Sequence, residues 1–83
     1  MATDTPETFH GLLAHRRAAL GMTQADVARA LGVTQSAVSL WESPGGPLPR
    51  YSKLRAISEV YEIPYQRLRK LWQDAADGGE AAA

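Results

Sequence analysis

Gln35, Ser36 and Ser39 are the side chains whose type and spacing point most directly to chemistry in this sequence. They fall in one short segment opened by Thr34. A glutamine amide places a donor beside an acceptor, the pattern that matches the major-groove edge of adenine, and a serine hydroxyl bonds to a base or to a phosphate. Leu40, one turn beyond Ser36, suits the methyl group of thymine. Each has a plainer alternative: a solvated glutamine, serines that cap a helix start, an exposed leucine. Catalysis has much less support. His10 and His15 stand five apart, about 140° around a helix, so they share no metal-binding face. No His-Glu-x-x-His, nucleophile elbow or phosphate-cradling glycine loop occurs. With no cysteine there is no thiolate metal site and no disulfide. The expectation is a binding protein with no enzyme activity, cofactor, metal or small-molecule ligand.

The charge distribution says what such a surface would bind. The net charge of the 83 residues is zero, yet the acids concentrate at the ends. Asp4 and Glu7 precede every basic residue, and Asp74, Asp77 and Glu80 follow the last one. Residues 8–73 hold all nine Lys and Arg against Asp26, Glu42, Glu59 and Glu62, an excess of five positive charges. A basic body of this size suits a polyanion, although a solvated arginine surface is also common. The longest run without a polar side chain is Pro44–Pro49, far short of the ~20 residues of a membrane span. Met1–Glu7 has no apolar signal-like stretch, so a cytoplasmic protein is expected.

The elements that must position these residues are helical. Hydrophobic residues make up 45% of the chain and charged residues 22%, ordinary globular proportions for one domain. Apolar positions recur at threes and fours, and no segment alternates like a strand. Thr5-Pro6-Glu7 reads as a helix start, with Phe9, Leu12, Leu13, Arg16 and Leu20 on one face and Gly21 as the stop. Thr23-Gln24-Ala25-Asp26 resembles a capping box, followed by Val27, Ala28 and Leu31 and closed by Gly32. Thr34 caps a third segment in which Val38 and Trp41 face inward. Ser43–Pro49, with three prolines and two glycines, must be loop. A fourth helix is expected over about Arg50–Glu62, burying Leu54, Ile57 and Val60 or Tyr61. A fifth follows Pro64, from about Tyr65 to Asp74, with Leu68, Leu71 and Trp72. The organisation expected is an N-terminal segment over 1–7, an all-α domain over 8–73 and a frayed tail over 74–83.

Residues 24–43 combine several requirements in one window. Two short helices that cross steeply need a small residue where their axes meet, and Ala28 supplies it. The sharp turn between them needs a residue that tolerates positive φ, and Gly32 supplies that. Val38 and Trp41 lock the second helix, leaving Gln35, Ser36, Ser39 and Leu40 outside. This stretch resembles the helix-turn-helix of the phage repressor and Cro family, the XRE-like group. Leu13 and Arg17, Met22-Thr23-Gln24, Trp41-Glu42, and Pro49, Leu54, Ile57, Ile63 and Leu68 extend the resemblance over roughly residues 8–70.

The resemblance implies a compact five-helix, lambda-repressor-like domain that binds double-stranded operator DNA. By it, Gln24 hydrogen-bonds the DNA backbone, and Thr34, Gln35 and Ser36 open the recognition helix, with Ser39 and Leu40 a turn later. Arg17 matches an arginine that pairs with a glutamate at the position of Glu42, and Arg50 matches a phosphate contact. The sequence departs from the family at two places. Ser43-Pro44-Gly45-Gly46-Pro47-Leu48 replaces a basic loop, and Leu40 stands where a long polar side chain is usual. One motif touches only a few base pairs, so a homodimer on a palindromic operator is expected, pairing through Leu71 and Trp72 on the last helix. The resulting expectation is a repressor or Cro-like switch. The alternative is a protein-interaction module, anti-repressor or antitoxin-like, that keeps the fold and binds DNA weakly or not at all.

Overall fold

Thr8 starts the first helix: its backbone is extended (φ −117°, ψ 156°) and its hydroxyl accepts from the Gly11 N–H at 3.0 Å. The computed structural model describes residues 8–79, so the Thr5-Pro6-Glu7 start and the segment 1–7 lie outside the described residues. The first helix, α1 (Phe9–Ala19), buries Phe9, Leu12 and Leu13 and carries Arg16 and Arg17 in its last turn, near its negative end. The second, α2 (Gln24–Leu31), begins with a complete capping box. Thr23 Oγ1 accepts from the Asp26 N–H at 3.0 Å, and Asp26 accepts from the Thr23 N–H at 2.9 Å. The hydrogen bond from the Thr23 backbone N–H is the first cause that holds the Asp26 carboxyl below the usual carboxylate range.

Gly32 ends α2 in the left-handed conformation (φ 70°, ψ 33°), which a glycine adopts without the steric cost a side chain would add. The Val33 N–H returns to the Ala28 carbonyl at 3.0 Å, closing the turn. Thr34 then caps α3 (Gln35–Trp41), accepting from the Ala37 N–H at 3.1 Å. Helices α2 and α3 pack together, and Ala28 of α2 is buried.

The fourth segment is shorter than the apolar spacing predicts. Arg50 precedes a single 3₁₀ turn (Tyr51–Lys53), and the α-helix proper, α4, runs only from Leu54 to Val60. Glu62 leaves it with φ 56°, and the Ile63 N–H reaches back to the Ser58 carbonyl at 2.9 Å. The left-handed Glu62 ends the helix ahead of Ile63, the residue at which Pro64 disfavours helical geometry. Of the two candidates for the buried position, Tyr61 takes it with no exposure and Val60 stays half-buried. The fifth helix, α5, spans Tyr65–Asp74 as its spacing predicts, with Leu68 buried. Beyond it the chain does not fray at once. Ala75–Gly79 continue as a π-helical turn, with Ala75 packed on the core, and residues 80–83 lie outside the described residues.

All described elements are helical, and the core lies among α1, α2, α3, α4 and α5. Leu13, Val27, Val38, Leu54, Ile57 and Leu68 have no exposed surface. Each such side chain contributes about 1.5–3 kcal/mol, the main stabilising term for a chain with no disulfide.

Candidate nucleic-acid interface

Helix α3 is divided lengthwise. Val38 is wholly buried and Trp41 nearly so, while Gln35, Ser36 and Leu40 are exposed and Ser39 is half-exposed. Thr34 is exposed too, but its hydroxyl is already used as the cap. Gln35 and Ser36 therefore open the helix, Ser39 and Leu40 follow four residues later, and the row contains no charge.

Three ties fix α3 to the rest of the domain. Its C-cap residue, Glu42, is buried and accepts four hydrogen bonds. Arg17 Nε, from α1, lies 3.0 and 2.9 Å from the two carboxylate oxygens. Gln24 Nε2, from α2, donates to Oε1 at 3.1 Å, and the Tyr61 hydroxyl donates to Oε2 at 2.9 Å. The hydrogen bond to Glu42 raises the Arg17 pKa above the ordinary guanidinium value, and burial, ahead of the Glu42 charge, pushes the Tyr61 phenol up. The second tie is His10 on α1. Its Nδ1 lies 2.6 Å from the Trp41 carbonyl, which can only accept, so Nδ1 carries the proton.

The third tie is the loop after α3. The Ser43 hydroxyl donates to the Ser39 carbonyl at 2.8 Å, and its N–H donates to the Leu40 carbonyl at 3.2 Å. Gly46 approaches so closely that a Cβ there would lie 2.5 Å from the Leu40 carbonyl oxygen. The uncharged Ser43–Leu48 loop thus closes the end of α3.

The positive charges are unevenly committed. Arg17 is taken by Glu42, Arg29 pairs with Asp26 at 2.8 Å, and Lys70 pairs with Asp74 at 3.2 Å. Arg16 donates to the Tyr61 and Glu62 carbonyls. Among the described residues no carboxylate lies within ion-pair distance of Arg50, Lys53, Arg55, Arg67 or Arg69. The excess positive charge therefore sits on the turn before α4, on α4 and on α5, with Arg50 exposed directly before that turn. Pro49, ahead of Arg50, is buried, and its carbonyl accepts from Trp72 Nε1 at 2.8 Å.

The residues expected to act at the site are distributed as follows. Gln35, Ser36, Ser39 and Leu40 share the outer side of α3, and Arg50 is exposed on a separate segment. Gln24 is only partly available, because one amide proton is committed to Glu42. The Arg17–Glu42 pair, Ala28, Gly32, Val38 and Trp41 hold the motif in shape. Leu71 and Trp72 lie on α5. Both are half-buried, and Trp72 stands edge-on to Tyr51 with centroids 5.2 Å apart. Pro49 and Tyr51 contact Trp72, a long-range contact that helical spacing does not contain. Tyr51 itself was not singled out by the sequence pattern. It is 42% exposed and, with Leu40 at 49%, is one of two exposed large apolar side chains among the described residues. Tyr61, His10 and Gly46 also carry no periodic signal for their roles.

Among the described residues, no three His, Asp or Glu side chains converge as a metal site would need, and no helix is long and apolar enough to cross a membrane. A family model described as helix-turn-helix matches residues 13–68, well over half of the chain. No curated protein and no solved structure matches it.

Proposed function

The chain belongs to the helix-turn-helix family of phage repressor and Cro-like (XRE) proteins, DNA-binding regulators, and from that premise we propose that it is a sequence-specific repressor or Cro-like switch acting as a homodimer on palindromic double-stranded operator DNA. The observation that carries the reading is the two-sided α3. Its inner residues are locked by packing, while Gln35, Ser36, Ser39 and Leu40 form an uncharged outer row suited to base edges. Phosphate attraction comes from elsewhere, with Arg50 the first basic residue after the loop. Gln24 and Thr34 contribute at the starts of α2 and α3, through the amide proton that Glu42 leaves over and through the exposed face of the cap.

Pairing of two copies supplies the specificity that one motif lacks, by reading two half-sites about 34 Å apart. The surface favoured for it is Tyr51 together with the remaining open edges of Leu71 and Trp72, an aromatic cluster of the type that dominates interface energetics. A cytoplasmic location goes with this reading.

The uncharged Ser43–Leu48 loop supports a second reading, a protein-interaction module with little DNA affinity. A gel-shift series across salt concentrations separates the two. A DNA binder loses affinity steeply as salt rises, because each neutralised phosphate releases counterions. An interaction module gives no shift at any salt concentration.

A further inference from the structure

We infer that the cleft between α1 and the turn from α4 into α5 is a binding site for a small apolar monocarboxylate, a ligand class that the sequence alone gives no reason to expect. The cleft has a volume of about 300 Å³ and is lined by Leu12, Arg16, Glu62, Ile63, Pro64 and Arg67. That is the lower end of the size range of small-molecule sites, which join an apolar lining to a few placed polar groups. Leu12 and Ile63 belong to the core and Pro64 is exposed beside them. The polar groups are two guanidiniums and one carboxylate, an excess of one positive charge. Arg16 is already positioned: its Nε donates to the Tyr61 carbonyl at 3.3 Å and a terminal nitrogen donates to the Glu62 carbonyl at 3.4 Å. The Glu62 carboxylate stands 3.9 Å away, too far for a hydrogen bond. These bonds use two of the five N–H groups of the guanidinium, so its charge is held in place by neutral oxygens and only weakly offset. Arg67 is exposed, with no carboxylate within ion-pair distance among the described residues. A planar carboxylate matches the guanidinium fork, and a single negative charge matches the excess of one. A phosphate dianion would leave a charge unmatched beside Glu62. The tail of the ligand then lies against Leu12, Ile63 and Pro64. None of the six lining residues belongs to the outer row of α3 or is Arg50, so this inference stands or falls apart from DNA binding.

The test titrates the full chain, without DNA, with octanoate, acetate and octanol, and follows side-chain methyl and aromatic resonances by NMR. Octanoate should shift the methyl signals of Leu12 and Ile63 with a dissociation constant of about 1 mM, the affinity expected of so small a ligand. Acetate has the charge without the tail and octanol the tail without the charge. Each should bind at least about tenfold more weakly. Arg67→Gln should weaken octanoate about tenfold, the worth of one charge-assisted hydrogen bond, and Arg67→Lys, which keeps the charge, should retain most of the affinity. Arg67 is exposed, so both variants should keep the dispersed spectrum of the folded wild type. The inference is overturned if octanoate leaves Leu12 and Ile63 unmoved at about 10 mM, or if acetate or octanol binds as tightly. Unchanged octanoate affinity in Arg67→Gln overturns it too. So do shifts at Leu40 and Tyr51 as large as those at Leu12 and Ile63, which mark adsorption on any exposed apolar side chain.

Discussion

The Tyr61 hydroxyl donates to Glu42 Oε2 at 2.9 Å, joining the C-cap of α4 to the C-cap of α3. With Arg17 on the same carboxylate, the end of α3 is fixed from two sides. A buried carboxylate is stable only while its partners are present. Arg17→Ala should therefore lower the unfolding free energy by about 3 kcal/mol, measured by urea denaturation. A loss of a few tenths would mean that water replaces the guanidinium there.

The same pair predicts a pH dependence. Burial raises the Tyr61 pKa in the folded state, whereas the unfolded phenol titrates near its ordinary value of about 10. The raised value means that the stabilisation is fully present below pH ~10 and is lost as pH rises, because the unfolded chain then releases a proton that the native one keeps. Between pH 9 and 11 the wild type should lose stability faster than Tyr61→Phe. Parallel curves for the two proteins would remove Tyr61 as the cause.

Arg50 is exposed, with no carboxylate among the described residues in ion-pair distance. A phosphate contact carries no sequence information, so Arg50→Ala should weaken binding to all duplexes by a similar factor. It should also reduce the log–log salt slope by about 0.9. A changed order of preference among sequences, with the slope intact, would assign Arg50 to a base.

Tyr51 offers a cleaner test of pairing than Trp72, which also anchors Pro49. Tyr51→Ser should weaken self-association by about 2 kcal/mol in sedimentation equilibrium while leaving the far-UV circular dichroism unchanged. Undiminished association would place the dimer contact elsewhere.

Much of the scaffold was legible because it depends on neighbours in sequence. The Thr23–Asp26 capping box, the left-handed Gly32, the buried Val38 and Trp41 and the bounds of α5 all follow from local spacing and capping. The Arg17–Glu42 pair was read from the family resemblance, and its geometry is as that implied. What spacing did not contain is contact between distant segments. His10 on the Trp41 carbonyl, Tyr61 on Glu42 and Trp72 on the Pro49 carbonyl join residues 31, 19 and 23 apart. The early end of α4 depends on Glu62 taking a left-handed conformation, which glutamate's own preference does not suggest.

The central claim is that α3 reads bases, with Gln35 as its leading contact. Selection of bound sites from random duplex DNA, run in parallel with the wild type and Gln35→Ala, tests it most directly. The wild type should enrich a palindrome with half-sites about one helical turn apart, and the variant should lose about 1–3 kcal/mol on that site and relax preference at one base pair per half-site. No enriched sequence from the wild type, or identical preferences from both proteins at every position, would contradict it.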